Sequence, residues 1–342
     1  MTKKLYFIRA NKTKFGGAEV YLSRLADTLN EQGIEHQIIN SNLPKFLPSW
    51  IRVLLFDLSV CKEKKDKFYF SLERIKCPDI YRAGDGVHKV FLEVEKKSKL
   101  NPLHIVYLWI EKQMFSNAKK IIANSKMVKQ QIITTYNIDP KKIEIVYNGV
   151  PLKPLSDFES IKKEFSIKDE KILLYVGSGF KRKGVEEVLE IVSKLQSKNI
   201  KCFIVGKEKK LNHYKNKAKE LAIEEKVIFT GPRSDVDKFY SMADIFLFPT
   251  HYEPFSNVIL EAMSFKNAVF TTQQNGAAEI LDISFVMQQP KDFTVVQKID
   301  DLLCDENQLS KIKERNIQQV QSFSIEKNVK NTLKIINEML EK

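Results

Sequence analysis

One pattern runs through this chain twice, and it limits the fold more than any other feature. Leu5-Tyr6-Phe7-Ile8 is a short apolar run, followed by the loop Phe15-Gly16-Gly17-Ala18-Glu19. Residues 18–32 then place Val20, Leu22, Leu25, Ala26 and Leu29 at helical spacing. Gly33 stands where a helix stop is expected, and residues 34–39 read as the next strand. This β-loop-α-β order is the building unit of a doubly wound parallel sheet. A charged, proline-containing stretch from Pro151 to about Lys168 interrupts it, and then the pattern restarts. Residues 171–176 read as a strand, 177–184 as a glycine-rich loop and 185–197 as a helix. Further strands are expected at 202–205, 226–230, 245–249 and 268–271, with helices between them.

The rest of the first half reads as a helical, basic region over 91–119, a strand at 121–123, a helix capped by Ser125 over 127–136, and a strand at 143–147. Residues 325–339 form a final helix. At roughly 100–200 residues per domain, 342 residues suggest two domains. The expected architecture is α/β: two Rossmann-like, doubly wound lobes, 1–155 and 156–324, facing a central cleft. A C-terminal helix at about 325–342 is expected to pack back on the first lobe.

Charge separates the halves. Residues 1–156 hold 27 Lys and Arg against 15 Asp and Glu, whereas the remainder holds 29 against 28. Nearly all of the net +13 therefore sits in one half. Such a balance implies an anionic partner: nucleic acid, an acidic membrane surface or a phosphorylated acceptor. A nucleic-acid reading lacks an RNP-like aromatic motif, a zinc finger or a recognition-helix module. The start Met1-Thr2-Lys3-Lys4 with its short apolar run is not a secretory signal, and no stretch of about 18 apolar residues is present to span a bilayer. The four cysteines, Cys61, Cys77, Cys202 and Cys304, are scattered without a C-x-x-C pair and are expected to be free thiols in a reducing cytoplasm.

Three segments carry chemistry. Gly16-Gly17-Ala18-Glu19 lies between a strand and a helix, where glycines permit close backbone approach and a helix N-terminus offers N–H groups to an anion. Its spacing is not the G-x-G-x-x-G dinucleotide fingerprint. Lys181-Arg182-Lys183-Gly184 puts three cations at a loop-helix junction, a site for pyrophosphate. In Glu253-Pro254-Phe255-Ser256-Asn257-Val258-Ile259-Leu260-Glu261, one carboxylate precedes a helix start and another lies inside the helix. The backbone N–H groups of Phe255, Ser256, Asn257 and Val258 lie between the two. Carboxylate, anion-binding turn and second carboxylate suit a sugar, a diphosphate and a ribose in that order. No D-x-D, H-x-x-x-H or Cys/His cluster with ligand spacing stands out, so no metal or other cofactor is expected.

With Gly231-Pro232-Arg233, these motifs fall in the order found in the retaining family 4 glycosyltransferases, which the chain resembles over nearly its whole length. That family has the GT-B fold. Tyr81-Arg82-Ala83-Gly84-Asp85-Gly86-Val87-His88 and Val176-Gly177-Ser178-Gly179-Phe180-Lys181-Arg182-Lys183-Gly184 look most like its lipopolysaccharide core glucosyltransferase branch. The resemblance implies that Gly16 and Gly17 approach the donor phosphate and that Arg182 and Lys183 hold the diphosphate. Arg233 would lie near the base, Glu253 at the sugar hydroxyls and Glu261 at the ribose. Asp85 would face the reacting sugar, with His88 as a rival for that place. The chain departs from the family at Ser178, where many members carry Arg, at Ser256, where Gly is common, and at Asp85, where several use His.

The resemblance further implies front-face transfer, without an enzyme nucleophile, of a hexose from UDP-glucose or a related UDP-sugar. The acceptor would be an anionic, lipid-linked lipopolysaccharide or lipooligosaccharide core. The alternatives are a non-hydrolysing sugar-nucleotide epimerase of the same fold and a basic nucleic-acid-binding protein. The segment 87–120, with lysines among aromatic and aliphatic residues, and a second patch at 46–58 are read as a peripheral contact with an anionic membrane, on the inner face of the cytoplasmic membrane.

Overall fold

The computed structural model describes residues 4–12 and 17–341. The chain divides into two compact units. One comprises the chain as far as Tyr147 together with the segment from Glu326, and the other is Asn148–Ile325.

The first unit runs β1 (Leu5–Ile8), α1 (Gly17–Glu31), β2 (His36–Ile39), α2 (Ser49–Lys62), β3 (Phe68–Ser71), β4 (Ile80–Ala83), α3 (His88–Val94), α4 (Pro102–Asn117), β5 (Lys120–Ala123), α5 (Lys126–Tyr136) and β6 (Ile143–Ile145). The strands pair in parallel in the order β2-β1-β3-β4-β5-β6. The order reverses between β1 and β3, the switch point where open α/β sheets bind ligands at their strand ends. Strands β3 and β4 are absent from the sequence reading because neither alternates. All four residues of β3 are buried, and β4 contains Arg82, buried with its guanidinium 3.9 Å over the Tyr21 ring.

The single helical region expected over 91–119 is two helices. Lys96 adopts a left-handed φ of 49°, and Pro102 opens α4 with the Asn101 side chain capping the Leu103 N–H. Most apolar residues of this region turn inward. Leu92, Val106, Ile110, Met114 and Phe115 are buried, the last two beside Tyr81 and Ile121 in the core. Leu100, Ile105 and Trp109 stay exposed.

Two of the four cysteines correct the expectation of free thiols. Cys61, at the end of α2, and Cys77, between β3 and β4, are joined in a disulfide with their Cα atoms 5.7 Å apart. Strand β3 runs out and the chain returns past α2, so two cysteines without a recognisable spacing motif become neighbours. Cys202 is free and buried, and Cys304 is free and exposed.

The second unit runs α6 (Glu159–Phe165), β7 (Lys171–Val176), α7 (Phe180–Lys183), α8 (Val185–Lys194), β8 (Ile200–Val205), α9 (Leu211–Glu220), β9 (Val227–Gly231), α10 (Val236–Met242), β10 (Ile245–Phe248), α11 (Asn257–Ser264), β11 (Ala268–Thr272), β12 (Val286–Met287), α12 (Val295–Cys304) and α13 (Glu306–Val320). Its parallel sheet has the order β12-β11-β10-β7-β8-β9, with the switch point between β7 and β10. Strand β7 is buried from Ile172 to Tyr175, and all of β10 is buried, as central strands covered on both faces require. The last helix, α14 (Ile325–Leu340), lies mostly in the first unit, where Thr332 Oγ1 is 2.9 Å from the Tyr21 hydroxyl of α1.

Candidate active site

The switch point of the second sheet gathers most of the residues singled out in the sequence. Strand β7 delivers the chain to Gly177, and the expected loop 177–184 contains a helical turn, α7, entered through Gly179 and left through Gly184, both at left-handed φ. Gly184 is required by space as well, because a Cβ there would collide with the Pro249 carbonyl oxygen. The junction therefore packs directly on the end of β10. The Arg182 carbonyl accepts from the His251 N–H at 2.8 Å and from the Thr250 hydroxyl at 3.1 Å, which pins Arg182 to the loop carrying Glu253.

Arg182 donates through Nη1 to Glu253 Oε2 at 2.7 Å and to the Tyr252 carbonyl at 2.6 Å. Lys183 Nζ lies 3.8 Å from the same carboxylate oxygen. Burial pulls the Lys183 ammonium below the ordinary lysine range, and Glu253 acts against that pull. The result is a poorly hydrated cation pair beside one carboxylate.

Glu253 is set by backbone bonds, its N–H donating to the Gln274 carbonyl and its carbonyl accepting from the Gly276 N–H, both at 2.9 Å. Asn275 completes this support: its Oδ1 accepts from the Ser256 N–H at 3.2 Å and its amide donates to Thr271 Oγ1. Asn275 carries no motif of its own, since nothing in its neighbours marks a second strand-end loop reaching back to Glu253. Ser256 is the N-cap of α11 and makes no side-chain capping bond. Phe255 is buried, while Asn257 and Val258 open the helix, with Asn257 Oδ1 accepting from Asn148 at 2.8 Å. Further along α11, Glu261 accepts from the Tyr240 hydroxyl at 3.1 Å. Burial raises its carboxyl pKa, with the Tyr240 bond and nearby Lys153 and Lys183 opposing.

Arg233 follows Gly231 at the end of β9. Its guanidinium is shared between Glu164, at 2.8 and 2.9 Å, and Asp235, at 2.9 Å. Ser178, at the position where many relatives of the resembled family have Arg, accepts from the Lys207 N–H at 3.1 Å.

In the first unit, Gly16 lies outside the described residues and Gly17 opens α1. Asp85 is exposed beyond the end of β4, 3.8 Å from Arg74 Nη1. His88 is buried at the start of α3, where its N–H donates to Glu111 at 2.7 Å and its Nε2 lies 3.1 Å from His104 Nδ1. Burial, with Arg74, His104 and Lys97 adding to it, pulls the His88 pKa down to about 3, so the ring is neutral near pH 7. The strand ends at this sheet's switch point border a cavity of about 620 Å³, whose walls include Ala10 after β1, Ser41 after β2 and Glu73 after β3. Glu73 carried no motif in the sequence, and the helix α2 that forms another wall was singled out only within the patch 46–58.

Residues 157–319 match the family described as glycosyl transferases group 1, and residues 82–153 match glycosyltransferase family 4. An uncharacterized glycosyltransferase of Methanocaldococcus jannaschii is 30% identical over 199 residues, covering 54% of this chain and 51% of its own length. The lipopolysaccharide glucosyltransferase WaaG of Escherichia coli is 28% identical over 217 residues, covering 59% of this chain and 58% of its own length. The chain thus spans little more than half the length of these curated relatives. In fold it is similar to the crystal structure of WaaG, with a TM-score of 0.81 at 20% identity over 97% of this chain and 99% of that one. It is also similar to Anabaena HepE in complex with UDP and glucose, with a TM-score of 0.74 at 16% identity over 98% of this chain and 100% of that one. Residues 157–319, within the second unit, are thus similar to the group 1 glycosyl transferases, and the chain has the GT-B fold.

Proposed function

We propose that this protein is a retaining glycosyltransferase that moves a hexose from a UDP-sugar, UDP-glucose or a close relative, onto an anionic lipid-linked core saccharide. The observation that carries this reading is the meeting of Arg182, Lys183 and Glu253 at the switch point of the second sheet, with the uncapped start of α11 and then Glu261 following in the chain. A diphosphate leaving group develops charge as the glycosidic bond breaks, and fixed cations with helix N–H dipoles stabilise that charge without reorganising. Arg182 and Lys183 supply the cations, and no metal is assigned to that role. Glu253 takes sugar hydroxyls and Glu261 the ribose. The complex of HepE with UDP and glucose supports a UDP-sugar donor, and the similarity to the lipopolysaccharide glucosyltransferase WaaG supports a lipopolysaccharide-type acceptor.

The acceptor reading brings the membrane with it. Helices α2 and α4 pack together in the first unit and leave Phe46 and Leu100 84% exposed, with Trp50, Leu58, Ile105 and Trp109 also in solvent. Ile105 and Trp109, four residues apart, share one face of α4. Lys45, Lys96, Lys97, Lys99 and Lys112 are exposed in the same two regions. Apolar side chains among lysines suit an anionic headgroup layer, at about 1 kcal/mol per lysine near the surface. We place the protein at the inner face of the cytoplasmic membrane on this basis.

A thermal-shift panel of nucleotide sugars tests the donor class, since a ligand held by the native state raises its stability by mass action. UDP-sugars are expected to raise the melting temperature and GDP-, ADP- and CMP-sugars to leave it unchanged. Co-sedimentation with anionic vesicles tests the membrane contact. It is expected at low salt, to fall as salt rises, and to fall when Lys96, Lys97 and Lys99 are replaced by Glu.

A further inference from the structure

Helix α8 buries an acid among apolar residues. Val188, Leu189, Ile191 and Val192 are buried, and Glu187 beside them is only 4% exposed. A carboxylate taken out of water is costly unless it is paired. Its place in the first turn of α8 sets Glu187 near the positive end of the helix dipole, and His251 gives it a partner. His251 Nε2 lies 3.0 Å from Glu187 Oε1. An ionised carboxylate only accepts, so the ring pairs with it through an Nε2–H.

His251 is a junction between this acid and the cation turn. Its backbone N–H donates to the Arg182 carbonyl at 2.8 Å, and the Thr250 hydroxyl donates to the same oxygen at 3.1 Å. The next residue, Tyr252, offers its carbonyl to Arg182 Nη1 at 2.6 Å, and Glu253 takes the same nitrogen at 2.7 Å. Residues 250–253 therefore hold Arg182 twice, by its backbone and by its guanidinium. The loop is tied at its far end, where Glu253 meets the Gln274 carbonyl and the Gly276 N–H. Toward α8 it is tied through the His251 ring. A displacement of about 1 Å in a group that faces reacting atoms is enough to cost most of its effect.

We propose that Glu187 is a positioning residue for Arg182, the cation proposed for the diphosphate. Glu187 does not touch the donor. It fixes the His251 ring, the ring fixes residues 250–253, and those residues set the place and direction of the guanidinium. The assignment rests on the transferase reading, in which Arg182 meets the diphosphate. Stability alone is a poor reason for an acid at this point of α8. A buried ion pair is often no more stabilising than an apolar side chain in its place, and the neighbours of Glu187 on α8 are apolar. The His251 side chain is 39% exposed, so removing Glu187 leaves no buried charge behind.

The test titrates the full chain with UDP, uridine and inorganic pyrophosphate by calorimetry, beside thermal melts. Glu187→Leu is expected to weaken UDP and pyrophosphate about 3–10-fold, to leave uridine binding as it was, and to keep or raise the melting temperature. Glu187→Gln still offers an oxygen to the ring and is expected to recover most of the loss. His251→Ala leaves the Glu187 carboxylate buried without the ring, so it is expected to weaken both anions and to lower the melting temperature as well. In the Arg182→Ala background, Glu187→Leu is expected to cost nothing further, because the two residues act through one guanidinium. A Glu187→Leu protein that binds UDP like the wild type would overturn the proposal. So would a loss of the same size in both backgrounds, or equal losses for uridine and UDP, which mark a structural role. Should Glu187→Leu not fold, the same cycle is run with His251→Ala, and additive losses there overturn the proposal equally. Pyrophosphate binding that depends on Glu187, in a protein that binds no UDP, would sink the donor reading and leave this assignment standing.

Discussion

Arg182 is held by Glu253 at 2.7 Å, so the cation proposed for the diphosphate and the carboxylate proposed for the sugar pair with each other. A donor must exchange that pair for a pair of contacts of its own. Replacing Glu253 by Gln therefore has two expected consequences of opposite sign. Turnover with the true donor falls by about 10–100-fold, the range for a lost charged hydrogen bond. Binding of free UDP does not fall, because Arg182 is released from its partner. The double change Arg182→Ala, Lys183→Ala is expected to weaken UDP strongly and uridine hardly at all. Calorimetry with UDP and uridine on the three proteins separates these outcomes, and equal losses for uridine and UDP would mark the cations as structural.

The Glu261 carboxylate accepts from the Tyr240 hydroxyl and, among the described residues, from no other side chain, which leaves it capacity for a ribose. Glu261→Gln is expected to lower kcat/KM by about 10–100-fold with the fold intact. Tyr240→Phe keeps the carboxylate and is expected to cost less activity than Glu261→Gln. Circular dichroism melts beside the kinetics check that the loss is not unfolding. A Tyr240→Phe variant as impaired as Glu261→Gln would argue that Glu261 serves packing.

His88 provides a pH signature in stability. Its folded pKa, near 3, lies below the unfolded histidine value of about 6.5, so its contribution is fully present above that value. It is lost as pH falls from about 6.5 toward 3, at up to about 1.4 kcal/mol per pH unit. Urea unfolding at pH 7 and pH 5 should show a larger loss for the wild type than for His88→Asn. Arg74, His104 and Lys97, whose charges act on the ring, are present in both proteins. Equal losses in both proteins would show that the ring is not held neutral by the fold.

The Cys61–Cys77 bond closes a loop of 16 residues and should contribute on the order of 3 kcal/mol against the reduced unfolded chain. Oxidised protein is expected to block two of four cysteines from alkylation in denaturant, and Cys61→Ser is expected to lower the melting temperature under oxidising conditions only. Four alkylated thiols without reductant would remove the bond from this protein.

Repetition made the fold legible. Strand β7, read as 171–176, has those ends in the structure, and β10 and β11 differ from their readings by one residue. Each is an apolar run between polar loops, a signal that survives without tertiary context. Strand β4 was hidden because Arg82 breaks its run, and its guanidinium lies over the ring of Tyr21, distant in sequence. The residues proposed for the donor were visible as local motifs, since Arg182, Glu253 and Glu261 lie in short segments whose order carries meaning. Asn275 and Tyr240 make their contacts 19 and 21 residues away in sequence, so no local pattern announces them.

The most direct measurement is UDP release from UDP-glucose and related UDP-sugars, with and without a lipid-linked core saccharide, alongside mass analysis of acceptor and donor. A glycosyltransferase of this kind releases UDP only with the acceptor, adds one hexose to it with the anomeric configuration of the donor kept, and loses that activity in the Arg182→Ala, Lys183→Ala protein. A donor sugar epimerised in the absence of any acceptor, or release of UDP that is the same in the double variant, would contradict it.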